Sequence, residues 1–252
     1  MVGERQRQLV ELLCAEKVMS IQKLADHFQV SIVTIRRDLE QLSKEGLIKR
    51  IYGGAAIVEQ VLPADKIVFS GRLTAQQEEK NKVAEKALAL IKEGDTVYLD
   101  TGTTVALLAQ KLARLKNVTV VTNSLAVMNV LCDTSIPVYG LGGLMRGRES
   151  ALSGSMTISM LQNFYFDCAF LGVGGISVEM GVTDYFFETT QLRRGVVERS
   201  KRTVLLADST KFGKNTPAVV FPLETADVVV TDTRPEEVYV DALQKAGVSL
   251  VF

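Results

Sequence analysis

Hydrophobic positions along the chain follow two different rhythms. From Arg5 to about Leu42 the period is helical. Leu9, Leu12 and Leu13 form one stripe, Ile21, Leu24, Ala25 and Phe28 a second, and Ile32, Ile35, Leu39 and Leu42 a third. Ser20 and Ser31 precede the second and third stripes as N-cap residues. Only Gln29-Val30 separates Phe28 from Ser31, so these two helices read as helix-turn-helix. Glu45-Gly46 then closes the third helix. Leu47 to Tyr52 reads as a strand, Gly53-Gly54 as a tight turn and Ala55 to Val58 as the return strand. Three helices and a hairpin make a winged helix.

Beyond residue 57 the rhythm changes. Residues 58–77 mix Pro63, Gly71 and scattered charge, and read as a linker with a short strand at Ile67-Val68-Phe69. A helix follows from about Glu78 to Lys92. Short β-branched runs at 96–100, 118–121, 137–141, 168–172, 203–207, 227–231 and 248–251 then alternate with helical patterns at 104–115, 124–132, 155–163, 186–200 and 235–246. Apolar strands separated by helices predict an α/β domain over 78–252 with a mostly parallel sheet. The expected organisation is a winged helix-turn-helix at 1–57, a linker at 58–77 and a larger α/β domain.

Composition narrows the function classes. The 252 residues are 47% hydrophobic and 23% charged, values ordinary for a folded soluble protein. No apolar run approaches the roughly 18 residues of a membrane span. The polar N-terminus does not read as a signal peptide. Cys14, Cys132 and Cys168 are scattered, which suits a reducing cytoplasm and gives no zinc spacing. With His27 the lone histidine, a histidine metal site or a Ser-His-Asp triad has little to build on. Net charge is zero, yet residues 1–56 carry 9 Lys/Arg against 7 Asp/Glu. DNA contact therefore depends on local placement, not bulk charge.

The third helix supplies that placement. Its apolar stripe faces inward, which leaves Val33, Arg37 and Gln41 near the outer pole, Thr34 beside them and Arg36 on a flank. A recognition helix presents its N-terminal residues to base edges, so Thr34 and Arg37 are candidates there, with Ser31, also the helix cap, a further DNA-binding candidate. Arg36, Lys49 and Arg50 are candidates for the phosphate backbone. A solvated charged face on a small bundle is the bland alternative.

In the α/β domain the chemistry gathers at strand ends. Asp100-Thr-Gly-Thr-Thr104 follows one strand, Thr122-Asn123 another and Gly142-Gly143 with Arg146 a third. Gly172-x-Gly174-Gly175 and Asp208-x-x-Lys211 follow two more. Ligands bind at the carboxyl ends of parallel strands, and helix N-termini favour anions. A phosphorylated, polyhydroxylated molecule fits; turns and caps are the bland reading of each piece. A dinucleotide does not fit: Gly140-x-Gly142 meets Met145 where a third glycine belongs, and no Walker A sequence exists. No cofactor or metal is expected.

Ser31 through Ala55, with Thr-Ile-Arg-Arg-Asp-Leu, Leu-x-x-x-Gly-Leu-Ile-x-Arg and Gly-Gly-Ala, resembles the DNA-binding signature of the DeoR family of bacterial repressors. Tyr52 stands where many members carry His. The likeness continues through Asp100-x-Gly-Thr-Thr, Thr122-Asn123, Gly142-Gly143 with Arg146, Ser153-Gly154, Phe170-Leu-Gly172, Gly181-x-Thr183, Glu188 and Asp208-x-x-Lys-Phe-Gly213. Thr189-Thr190 departs from members with Ala after the Glu. The resemblance implies a sensor domain with a fold like ribose-5-phosphate isomerase. It implies Asp100, Gly102, Thr103 and Thr104 as a phosphate loop, with Asn123, Arg146, Glu188, Asp208 and Lys211 lining the rest. It further implies a homodimer or homotetramer that binds double-stranded operator DNA of a carbohydrate operon and is released by a phosphorylated sugar. Two other classes remain: a sugar-phosphate isomerase using Glu188, Asp100 or Asp208 as base with Lys211, and a redox or nucleotide sensor. The aromatic runs Phe164-Tyr-Phe166 and Tyr185-Phe-Phe187 are expected in the core.

Overall fold

The computed structural model describes residues 5–6, 8–9, 12–13, 18–44, 48–51, 53–57, 69–147 and 149–252. The chain divides into two compact units, residues 1–67 and 68–252.

In the first unit, residues 5, 6, 8, 9, 12 and 13 are helical (α1). They are followed by β1 (Val18–Ser20), α2 (Ile21–Phe28), α3 (Ile32–Lys44), β2 (Ile48–Ile51) and β3 (Gly54–Ile57). Both serine caps form. Ser20 Oγ accepts from Lys23 N at 3.2 Å and Ser31 Oγ from Thr34 N at 3.1 Å. Gln29, in the left-handed region at φ 52, turns the chain out of α2 and into α3. The predicted stripes converge: Leu9, Leu13, Leu24, Ala25, Ile35, Leu39 and Leu42 pack with Ile48 and Ala55 of the wing. β2 and β3 pair antiparallel, from Ile48 opposite Ile57 to Ile51 opposite Gly54. β1 adds a third strand to β3, with Val18 opposite Ala56. Three residues are too few to show alternation, so β1 is silent in the sequence. Glu45, Gly46, Leu47 and Tyr52 lie outside the described residues.

The linker expectation needs one correction. Phe69 does not end a strand; it opens α4 (Phe69–Thr74), and α5 (Gln77–Leu88) begins two residues after Ala75. The rest of that segment, residues 58–68, lies outside the described residues.

All seven predicted strands exist and join one sheet. They are β4 (Thr96–Leu99), β5 (Thr119–Thr122), β6 (Val138–Gly140), β9 (Cys168–Gly172), β12 (Thr203–Leu206), β14 (Val228–Val230) and β15 (Ser249–Val251). Their order is β15-β14-β12-β9-β4-β5-β6, and every pair is parallel. Parallel strands are buried on both faces, and alternate residues here feed two cores. Val97 and Leu99 join Val120, Phe170 and Val204 beneath α5, α6 (Thr103–Leu112) and α7 (Leu125–Leu131). Tyr98 joins Val121, Ala169, Leu171 and Leu205 on the opposite face, with residues from α8 (Ser155–Leu161), α9 (Phe187–Val197) and α10 (Glu237–Lys245). Phe170 is fully buried at the centre of the sheet. Truncating it to Ala leaves a cavity costing about 3–5 kcal/mol.

Two additions were not visible as periodicity. A hairpin of β7 (Leu144–Arg146) and β8 (Ala151–Ser153) follows β6. A three-stranded antiparallel sheet joins β10 (Gly175–Ser177), β11 (Gly181–Asp184) and β13 (Ala218–Phe221). The aromatic runs are split: Phe166 is buried, whereas Tyr165 and Phe187 are 77% and 64% exposed. Tyr165 and Phe187 therefore correct the expectation that both runs are core.

The strand order fixes where a ligand crevice must open. From β4 the chain proceeds to β5 and β6 on one side, then returns to β9 on the other. The connections leaving β4 and β9 therefore part company between these two strands. Such a reversal leaves a gap outside the carboxyl ends, where open α/β sheets bind ligands.

Candidate functional site

The outward face of α3 comes first. Ile35, Leu39 and Leu42 point into the core, while Ser31, Val33, Arg36 and Arg37 are exposed, Val33 by 74%. Thr34 is half-buried, its Oγ1 2.8 Å from Ser31 Oγ, so Ser31 both caps the helix and holds Thr34. Arg50 is exposed on β2. Lys49 lies beside it on the same strand, and its side chain is outside the described residues. The residue that sets the roll of α3 is Asp38, which the sequence reading passed over. Its buried carboxylate accepts from Arg5 Nε at 2.7 Å and Gln6 Nε2 at 3.0 Å, both on α1. Gln6 Nε2 also reaches Gln41 Oε1 at 3.0 Å, so Gln41 is tied back to α1. With Asp38 pinned inward, Arg36 and Arg37 are held outward.

In the second unit, a cleft of about 660 Å³, open to solvent, lies at the β4–β9 crevice. Gly102, Thr103 and Thr104 line it from the turn after β4. Gly102 caps α6 at φ 116, a conformation L side chains rarely adopt, with open space in front of it. The first N–H groups of α6 have no intrahelical acceptors, and Gly102 to Thr104 bring them to the cleft at the positive end of the helix dipole. Gly172 and Val173 close β9's side, and Leu206 and Lys211 come from the end of β12 and the turn after it. Arg72, Gln76 and Lys80 cover it from α4 and α5, and Glu149, Asp184, Phe186 and Arg193 complete the wall.

Its floor is an ion-pair network. Arg193 Nε donates to Asp100 Oδ2 at 2.8 Å, and Arg193 Nη1 pairs with Asp184 Oδ2. Gly172 N also donates to Asp100 Oδ2, at 3.2 Å. Asp100 is therefore engaged from β9 and α9 at once, and burial still raises its pKa against the opposing pull of Arg193. Above this floor stand three further cations. Burial lowers the pKa of Lys80 to about 8, and lowers those of Arg72 and Lys211. Burial likewise raises the Glu149 carboxyl to about 7, so near pH 7 it is only partly ionised. Asp208, buried behind Lys211, accepts from Thr210 N at 3.1 Å and from its hydroxyl. Asp100 and Asp184 outnumber Arg193, and Asp208, Glu79 and a partly protonated Glu149 act on the three further cations.

Of the predicted positions, the structure brings Gly102, Thr103, Thr104 and Lys211 to the cleft, with Asp100 and Asp208 directly behind them. The others sit elsewhere. Asn123 is buried, accepting from the Tyr98 hydroxyl at 2.8 Å and donating to Leu152 O at 2.9 Å. Gly142 O accepts from Thr157 Oγ1 at 2.6 Å. A Cβ on Gly143 would lie 2.2 Å from that same hydroxyl, so this loop is shaped by packing on α8. Arg146 is exposed on β7, with Nε 3.3 Å from Ser153 Oγ. Gly174 and Gly175 pack against Asp184 and Lys214. Glu188 is exposed in the first turn of α9, outside the cleft lining, and its charge helps raise Glu149. Arg72, Lys80, Glu149, Asp184 and Arg193 were not anticipated. One signal was available: Lys80 occupies the inward stripe of α5 with Val83, Ala84 and Ala87, and Arg193 that of α9 with Thr189, Leu192 and Val196. A charge where the period demands an apolar residue marks a buried polar site.

Among the described residues no group of His, Cys, Asp and Glu is arranged to hold a metal, and no helix is long and apolar enough to cross a membrane.

Known proteins match at both units. Residues 5–61 match the DeoR-like helix-turn-helix domain and residues 75–233 the DeoR C terminal sensor domain. The glycerol-3-phosphate regulon repressor of Escherichia coli K12 is 32% identical over 235 residues, 92% of this chain and 91% of its own. The transcriptional repressor GlcR of Bacillus subtilis 168 is 35% identical over 251 residues, 98% and 95% of the two chains. Among solved structures, ribose 5-phosphate isomerase A of Methanocaldococcus jannaschii aligns over 55% of both chains at 22% identity and a TM-score of 0.42.

Proposed function

The chain belongs to the DeoR family of DNA-binding transcriptional repressors, and on that premise we propose that a phosphorylated sugar binding in the β4–β9 cleft releases it from operator DNA. One observation carries the reading: the N-terminus of α6 and the cations Arg72, Lys80 and Lys211 meet in one cleft. A phosphate suits this setting, since helix N-termini and arginine forks are its natural receptors. The E. coli relative is named for a regulon of a phosphorylated polyol, which agrees with this ligand class. The sugar portion would meet Glu149, Gln76 and Phe186 along the wall.

On the DNA side, Thr34 and Arg37 of α3 read base edges, and Ser31, Arg36, Lys49 and Arg50 contact the backbone. Release follows from linkage. The effector favours one arrangement of the sensor domains, and that arrangement disfavours the spacing of paired winged helices on two half-sites. Two half-sites require at least a homodimer, working in the cytoplasm where the DNA is. The relatives are named regulators and repressors, so bound ligand here is a signal, not a substrate turned over.

The test is a thermal-shift screen of the full chain against matched sugars with and without phosphate. Ligand at a hundredfold excess over Kd adds about 2.7 kcal/mol of apparent stability. A rise with one phosphosugar and none with its free sugar is expected. No rise with any phosphorylated member, or an equal rise with the free sugar, overturns the reading.

A further inference from the structure

Arg72 stands apart from the other cations of the cleft. It lies on α4, the first element of the second unit, and the chain on its N-terminal side leads directly to the winged helix. Its guanidinium faces the cleft, and its Nε–H is buried without a hydrogen-bond partner. A buried charged donor left unpaired is costly, because it has surrendered water and received nothing in return. The remainder of α4 is held from below. Lys80 Nζ donates to the carbonyls of Arg72 and Ala75, and α4 packs against α6. The Nε–H of Arg72 is left without a partner. The positive end of α6 lines the same cleft.

Building on the phosphate reading above, we infer that Arg72 is the group through which the winged helix senses the cleft's occupant. A phosphate monoester at the N-terminus of α6 completes the guanidinium's hydrogen bonds and fixes α4, the helix from which the chain departs toward the DNA-binding unit. Arginine suits this role better than lysine, since its planar fork matches two phosphate oxygens at once. No large rearrangement is required. Ordering one helix at the root of the connecting segment narrows the positions that segment can start from, and this biases the DNA-binding unit through entropy. Reciprocity then holds: operator DNA weakens phosphate binding by the same factor that phosphate weakens DNA binding.

The test uses the full chain with inorganic phosphate as the probe, read by amide hydrogen exchange. In the unmodified protein, saturating phosphate slows exchange at residues 69–76 several-fold. In R72Q, phosphate still raises the melting temperature through α6, with affinity lowered about tenfold, the worth of one charge-assisted hydrogen bond. The slowing at 69–76 disappears in R72Q and is partly kept in R72K. If R72Q fails to fold, the unmodified protein and R72K still decide. Phosphate binding that leaves 69–76 unchanged in the unmodified protein overturns this inference alone, as does undiminished protection in R72Q. No phosphate binding at all overturns it together with the anion reading of the cleft.

Discussion

Replacing Arg193 by Met tests whether the floor of the cleft is the ion-pair network described. The substitution keeps length and apolar bulk but leaves Asp100 and Asp184 facing each other, with residue exposures of 1% and 5%. Removing one partner of a buried pair costs about 3–5 kcal/mol, because the remaining charge stays desolvated. For a unit this size each kcal/mol moves the midpoint by about 2–4 °C, so melting should fall by about 6–20 °C at pH 7. The pH dependence carries the diagnosis. Burial already raises the Asp100 pKa, and the Arg193 guanidinium is the strongest influence opposing that rise, so its loss drives Asp100 further up. A carboxyl whose folded pKa exceeds its unfolded value adds stability below that folded value and loses it as pH rises through it. The deficit of R193M should therefore shrink from pH 8 to pH 5. Differential scanning calorimetry across that range reads it, and D100N combined with R193M should recover part of the loss. A deficit under about 1 kcal/mol, the scale of an exposed pair, or one that does not change with pH, refutes the network.

Other outcomes follow from the same geometry. Lys80 titrates near 8. Phosphate affinity measured by calorimetry should fall between pH 7 and pH 9, as the ammonium is lost, and K80M should be weak at both. Because that folded pKa lies below the unfolded value, Lys80 itself makes the ligand-free protein more stable as pH rises from about 8 to the ordinary lysine value of 10.5. Asp38→Ala removes the acceptor of Arg5 and Gln6 and should cost about 1–3 kcal/mol in the first unit, with operator affinity falling further than the melting loss explains. Arg37→Ala should lose about 1–3 kcal/mol of discrimination between operator and random DNA while the second unit melts unchanged; equal discrimination would remove Arg37 from the reading surface.

What the sequence made legible follows from what is local. The seven strands of the parallel sheet are each a short β-branched run, and burial on both faces leaves that signature without any knowledge of partners. Asp100 to Thr104 was legible because a strand end, a glycine and a helix start are contiguous. Strand order was not, and it is the order that puts the crevice between β4 and β9. Lys80 and Arg193 come to the cleft from α5 and α9, far from Thr104 in sequence, so only their misplaced charge on an inward stripe hinted at them. Gly142, Gly143, Gly174 and Gly175 lie outside the cleft lining. A glycine after a strand signals a close approach, but the approaching group can be Thr157 or Lys214 as readily as a ligand. Asn123 misled for a similar reason, since its amide is spent on Tyr98 and Leu152.

Control of the winged helix by phosphate in the cleft is read by fluorescence anisotropy of the full chain on DNA from upstream of its own gene. The phosphosugar that raises the melting temperature is titrated into the complex, with its unphosphorylated counterpart in parallel. Release by the phosphosugar alone is expected, with loss of that release when Thr104 or Lys80 is replaced. Binding that persists at saturating phosphosugar, or release by the free sugar at the same concentration, would contradict it.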